Sequence, residues 1–225
     1  MIPNAKWIRP AQTTGDVCPV YSKQFSLFSS PNQSLSSVAH ATLSVTAMGV
    51  YEASLNGKRI GDFVLAPGWT SYRHRLQVQT YDVTELLSSE NELSILVGKG
   101  WYRSPLAWPD EAHRQQKAQI SAGLIALLTI TYTDGNTQLL PTGADWSAYE
   151  SNVRFSEIYD GETYDAAFDP SSAPIAIEEF DGPSDTLIAQ QGEKITEQER
   201  IMPARIFTTP AGETVCLLYT SPSPR

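Results

Sequence analysis

The hexapeptide Thr42-Leu43-Ser44-Val45-Thr46-Ala47 puts an apolar side chain at every second position and a hydroxyl between. That is the period of a strand with one buried face and one wet face. It constrains the chain more than any other feature, because a helix would scatter the same residues around its circumference. The period returns in Val50-Tyr51-Glu52-Ala53-Ser54-Leu55, followed by Asn56-Gly57 and Lys58-Arg59-Ile60-Gly61. Asn-Gly suits the two positive-φ positions of a type I′ turn, so a hairpin is predicted here. Asp134-Gly135 marks a second hairpin, between the apolar run Ala122 to Tyr132 and Thr137-Gln138-Leu139-Leu140. The first arm of that hairpin is apolar on both faces, which predicts a central strand.

Further strands are predicted at Val20 to Phe28, Leu76 to Tyr81, Leu93 to Val97 and Ile175 to Glu179, separated by Pro, Gly, Ser and Asn clusters. One helical turn is predicted at Val83-Thr84-Glu85-Leu86-Leu87, capped by Asp82. With 41% apolar and only 18% charged residues, the chain can bury a sizeable core. The expected fold class is all-β: a jelly-roll-like antiparallel β-sandwich with at most one or two short helical turns. Pro170 to Pro174 and Asp181 to Asp185 punctuate the end of the strand-rich region, which sets an expected domain of residues 1–185. Residues 186–215 read as a linker or the start of a further β-domain.

Sixteen Lys and Arg against 25 Asp and Glu leave a formal charge of −9. Phosphate backbones and anionic lipid are repelled by that balance, so no nucleic acid and no membrane partner is expected. Cys18 and Cys216 allow at most one disulfide. Met1 to Pro10 contains Pro3 and Lys6 and no apolar run of signal-peptide length, so a soluble cytoplasmic protein is expected.

Chemistry-bearing motifs are sparse. His40, His74 and His113 stand apart without metal-ligand spacing, so no metal is expected. Gly98-Lys99-Gly100 lacks the third glycine of a dinucleotide fingerprint, and no P-loop or nucleophile elbow occurs, so no cofactor is expected. Asn32-Gln33-Ser34 matches a glycosylation sequon but reads as a polar loop, and Arg73-His74-Arg75 as a solvated strand end. Two segments remain. Gly100 to Glu111 sets Trp101, Tyr102 and Trp108 beside Asp110, a combination suited to a sugar: rings stack on its C–H faces and acids accept its hydroxyl protons. The competing reading is that Trp101 and Tyr102 close one end of the core and only Trp108 is exposed. Glu157, Asp160, Glu162 and Asp165 place four carboxylates within nine residues. Such a group can support glycoside hydrolysis, but equally can cap loops or hold calcium.

The run Thr46 to Gly61, then Leu65-Ala66-Pro67-Gly68-Trp69-Thr70-Ser71-Tyr72 and Gln79 to Thr84, closely resembles the bacterial α-L-rhamnosidase family. The likeness continues through Gly100-Trp101-Tyr102 and Gly161-Glu162-Thr163-Tyr164-Asp165, with Ala5-Lys6-Trp7-Ile8 also typical, and covers roughly residues 5 to 210. It implies the family's amino-terminal β-sandwich domain, in an enzyme that removes terminal α-L-rhamnose with inversion. In that family the catalytic acids sit on a downstream (α/α)6 barrel, which needs roughly 130 helical residues. The resemblance therefore implies a fragment that is inactive alone, with no catalytic residue in this chain. Its implied partners are a rhamnose-containing carbohydrate and the missing catalytic domain of the same polypeptide. Candidate carbohydrate contacts are Trp101, Tyr102, Trp108, Asp110 and Glu162. Related rhamnose-binding modules carry an Asp-Asn pair where this chain has Met48-Gly49, so the resemblance does not extend to a calcium-assisted site at that turn. Residues 216–225, Cys-Leu-Leu-Tyr-Thr-Ser-Pro-Ser-Pro-Arg, resemble translated sequencing-adapter read-through, and the native frame is expected to end near 215. A stand-alone jelly-roll carbohydrate-binding module and a small hydrolase using Glu157, Asp160 and Glu162 are the competing functions.

Overall fold

The computed structural model describes residues 2–12, 14–28, 38–105, 112, 115, 117, 120–169 and 173–217. The sequon at Asn32, His113 and the tail beyond Leu217 lie outside them. Strands β1 (Trp7–Pro10), β2 (Pro19–Ser26), β3 (Val38–Ala47), β4 (Val50–Leu55) and β5 (Lys58–Arg59) come first. Next are β6 (Leu76–Asp82), β7 (Glu90–Gly98), β8 (Leu124–Tyr132), β9 (Thr137–Pro141) and β10 (Ser147–Glu150). Strands β11 (Val153–Glu157), β12 (Gly161–Tyr164), β13 (Ile177–Phe180) and β14 (Leu187–Ala189) complete a first compact unit, Met1–Lys194.

One sheet has the order β13-β1-β8-β3-β6-β14, with β9 also paired to β8; the other has the order β10-β2-β7-β4-β5. β11 and β12 form a separate hairpin. The alternation in β3 buries Ala41, Leu43 and Val45 completely, and these meet Tyr21, Leu55, Ile95 and Val97 from the second sheet in one core. Each such aliphatic side chain contributes about 1.5–3 kcal/mol relative to exposure. The result is a β-sandwich. β8 is central, as its doubly apolar sequence predicts: β3 flanks one side, β9 and β1 the other. Its second face, Ile125 and Leu127, packs with Trp7, Leu76 and Val78 into a separate cluster bordered by Tyr72, Tyr102, Phe180 and Leu187.

The Asn56-Gly57 turn has φ of 54° and 74°, both in the left-handed region that type I′ requires. The Asp134-Gly135 hairpin is built differently. Gly135 takes φ 86°, Asp134 Oδ1 accepts the Asn136 amide at 2.9 Å, and residues 133–136 form a longer loop. The predicted helical turn is a 3-10 turn at Thr84–Leu86, and Asp82 Oδ1 accepts the Thr84 amide at 2.9 Å. The Thr84 hydroxyl, which donates to the same oxygen at 2.6 Å, and then this amide hold the Asp82 carboxyl below its usual range. A further four-residue helix, α1 (Gly100–Arg103), follows β7. Among the described residues no helix is long and apolar enough to cross a membrane.

Hydrogen bonding carries the first unit past residue 185. β14 pairs with β6 in parallel register, Leu187 opposite Leu76. Beyond it the Gln190 amide donates to Val78, Gln191 to the Gln77 side chain, and Lys194 to Asp62 at 2.7 Å. The second unit, Ile195–Arg225, contains the hairpin of β15 (Arg205–Thr208) and β16 (Thr214–Leu217), in which Cys216 pairs with Ile206 and Leu217 with Arg205.

Three expectations follow. Gly57→Val should destabilise the first unit by about 1 kcal/mol or more, read as a lower urea midpoint; open space surrounds a Cβ there, so the loss is one of backbone conformation. Native protein at pH 8 should titrate one thiol rapidly with Ellman's reagent, exposed Cys216, and a second only after unfolding frees buried Cys18. Burial pushes the Cys18 thiol from 9.0 up to about 11 and raises the Tyr21 and Tyr51 phenols. These groups fold in the neutral form, so their contribution is whole below the unfolded pKa and is lost as pH climbs through the folded one. Thermal stability should therefore fall as pH rises from 9.0 towards about 11.

Candidate functional site

The polypeptide leaves β7 through Gly98-Lys99-Gly100 and turns at once into α1. Gly100 has φ 51°, and a Cβ there would lie 2.5 Å from Val50 Cγ1 and 2.8 Å from the Val50 nitrogen. Only glycine permits this close passage over β4. Lys99 is held on one side by Asp16, Nζ to Oδ1 2.6 Å, and on the other by the Phe155 ring at 4.5 Å. Trp101, Tyr102 and Arg103 then follow on a single helical turn whose direction is fixed.

Trp101 lies nearly parallel to Trp69, ring centroids 6.0 Å apart and planes 10° from coplanar. Tyr102 meets Tyr72 at 4.7 Å with a 40° tilt. The loop between β5 and β6 thus supplies a partner for each aromatic of α1. That loop is tied down: the Ala66 carbonyl accepts the Tyr51 amide, Pro67 accepts from Gln77, and the Tyr72 hydroxyl donates to the Gly68 carbonyl at 2.9 Å. Trp69 is 64% exposed, whereas Tyr72 and Tyr102 border the second apolar cluster. Burial raises both phenols, so they stay protonated hydrogen-bonding groups across the physiological range. The indole pair offers a flat apolar surface beside polar loop atoms, chemistry that suits stacking on a sugar ring. Trp108 and Asp110 lie outside the described residues.

Glu162 belongs elsewhere. On β12 it lines a cleft of about 240 Å³ with Cys18, Glu52, Arg59, Leu65 and Ser156, and neither Trp101 nor Tyr102 lines that cleft. The neighbouring carboxylates serve the backbone. Glu157 Oε2 accepts the amides of Tyr159 at 2.6 Å and Asp160 at 2.7 Å, while Asp165 Oδ1 accepts that of Ala167 at 2.9 Å. The acidic segment is a hairpin whose turn Glu157 caps. Among the described residues no three His, Cys, Asp or Glu side chains converge as metal ligands.

The aromatic partners Trp69 and Tyr72 are absent from the candidate contacts drawn from sequence. They lie about thirty residues before α1, and only the fold brings the two segments together. Leu65 to Tyr72 carries the family likeness, which was the one available pointer.

Comparison with known proteins covers the same ground. The alpha-L-rhamnosidase N-terminal domain family matches residues 36–199, a span holding both aromatic pairs and Glu162. An alpha-L-rhamnosidase of Streptomyces avermitilis is 40% identical over 131 residues, which is 57% of this chain and 12% of that protein. Another, of Alteromonas sp., is 39% identical over 135 residues, 59% of this chain and 14% of that protein. A solved alpha-L-rhamnosidase of Aspergillus terreus superimposes with a TM-score of 0.80 at 30% identity, covering 94% of this chain and 25% of its own. The chain thus spans about an eighth of the length of these curated relatives. With most of its sequence inside the matched span, the chain belongs to the alpha-L-rhamnosidase N-terminal domain family.

Proposed function

We propose that this chain serves as the amino-terminal accessory domain of an α-L-rhamnosidase, a glycoside hydrolase that removes terminal α-L-rhamnose with inversion from glycosides or polysaccharides. The observation that carries this reading is the family match over residues 36–199, joined to coverage of only 12–14% of the curated relatives. Inverting hydrolysis needs one carboxylic acid to protonate the leaving oxygen and one carboxylate to activate water across the ring. Glu157 Oε2 and Asp165 Oδ1 accept backbone amides, and in this reading the catalytic acids lie outside this chain. Catalysis falls to an (α/α)6 barrel elsewhere in the longer protein. This domain packs beside that barrel and lends a loop to the substrate entrance.

A second reading, a stand-alone jelly-roll carbohydrate-binding module, is favoured by one observation: the Trp69 indole is 64% exposed although it stacks on Trp101. In that reading a rhamnose-containing carbohydrate stacks on the Trp69–Trp101 pair, while Glu162, in a separate cleft, does not reach the same sugar.

The purified chain should not release the phenol from an aryl α-L-rhamnoside above background. Turnover that disappears with Glu162→Gln would overturn the accessory-domain reading. Fluorescence titration with L-rhamnose separates the two functions. An accessory domain should leave tryptophan emission unchanged, whereas a binding module should give a saturable change that Trp69→Ala abolishes. Trp69→Ala should itself cost about 0.5–1.5 kcal/mol, the worth of its stack on Trp101.

A further inference from the structure

We propose that the cleft between the end of β1, residues 11, 12, 14 and 15, and the segment 120–122 binds the carboxylate of a sugar acid, with the Arg103 guanidinium as its counter-ion. The cleft measures about 370 Å³ and is lined by Arg9, Gln12, Thr14, Arg103, Ser121 and Glu178 together with the intervening backbone. That volume lies at the lower end of the range for small-molecule sites.

Charge sets this cleft apart. It holds two guanidiniums against one carboxylate, in a chain whose net charge is −9. The cleft beneath β12 has the reverse balance, Glu52 and Glu162 against Arg59. Arg9 is already committed: its Nε and Nη2 reach the two oxygens of Glu178 at 3.2 and 3.0 Å, a bidentate pair. Arg103 is not. Its Nε donates to the Ile120 carbonyl at 2.9 Å, and among the described residues no carboxylate forms an ion pair with it. The acid whose charge acts on it, Asp16, is held by Lys99 at 2.6 Å. The remaining groups that act on it, Tyr21 and Cys18, are neutral, since burial raises both. Among the described residues this half-buried guanidinium has no anion, and a carboxylate would complete it with two parallel hydrogen bonds.

The walls are built in advance. The Thr14 hydroxyl donates to the Val17 carbonyl at 2.9 Å and the Val17 amide returns to Thr14, fixing the turn. The Tyr21 hydroxyl donates to the Ala122 carbonyl, and the Gly123 amide to Ser121 at 2.9 Å, fixing the opposite wall. Thr14 keeps its acceptor lone pairs, and Gln12 and Ser121 present an amide and a hydroxyl, a polar rim for ring hydroxyls. The choice of a sugar acid over other carboxylates rests on the reading of this chain as a rhamnosidase domain.

The full chain, labelled with nitrogen-15, should be titrated with sodium D-galacturonate and sodium D-glucuronate, with D-galactose and sodium acetate as controls. At least one uronate should shift the amide signals of Thr14, Ser121 and Ala122 saturably. Arg103→Met should weaken that response by about tenfold or more, the usual loss of a charge-assisted pair. Arg103 is the last residue of α1, so a second variant guards against misfolding. Glu178→Gln removes the competing carboxylate from an exposed ion pair of small structural consequence and should tighten uronate binding. No uronate response, an equal response to galactose or acetate, or unchanged or weaker binding in Glu178→Gln would each overturn the proposal. A protein that extends through a catalytic barrel and hydrolyses rhamnosides, yet leaves these amides unmoved, would sink this site and spare the domain assignment. Uronate binding without any rhamnosidase activity in such a protein would do the opposite.

Discussion

The sandwich depends on β8 being apolar on both of its faces. Leu124, Ala126, Leu128 and Ile130 face the second sheet, while Ile125 and Leu127 face away from it. An antiparallel strand with a wet outer face would support a two-layer fold and nothing more. Because this one is greasy outside as well, a third layer must cover it: Trp7, Tyr72, Tyr102, Phe180 and Leu187 from five different segments. The covering layer is also where the chain carries its chemistry. Residues recruited to shield β8 are adjacent to those that present the indole pair, so the aromatic surface is positioned by core packing and not by loop conformation alone.

Gly100 converts that packing into direction. The contact its missing side chain allows with Val50 forces β7 to end in a turn held against β4. From that turn the indole of Trp101 reaches Trp69, while the guanidinium of Arg103 reaches the cleft beside Thr14 and Ser121. A single four-residue helix therefore serves two separate surfaces.

Legibility in the sequence followed the range of the interactions. Period two in β3 and β4, the Asn56-Gly57 turn and the Asp82 cap are set by neighbours within a few residues, and each appears in the structure where the residues indicate. Strands β10, β11 and β12 carry little signal in the sequence: β10 is defined by β2, far away in the chain, and the β11–β12 hairpin alternates weakly. The same holds for the pairing of Trp69 with Trp101, which no local pattern encodes. In the acidic segment, carboxylate spacing looks alike whether the acids face a substrate or a peptide N–H; only the hydrogen bonds of Glu157 distinguish the two. Trp108 and Asp110 fall outside the described residues.

The parallel strand β14 has a consequence beyond its three residues. β6 would otherwise be the outermost strand of its sheet, with Leu76 and Val78 beside a row of free backbone donors and acceptors. Such an edge is a template for strand addition by another molecule. By returning to lie along β6, Leu187–Ala189 seals it within the same polypeptide. This last strand of the sheet is thus a colloidal safeguard, replacing a seven-residue edge with one of three residues as well as leading the chain away.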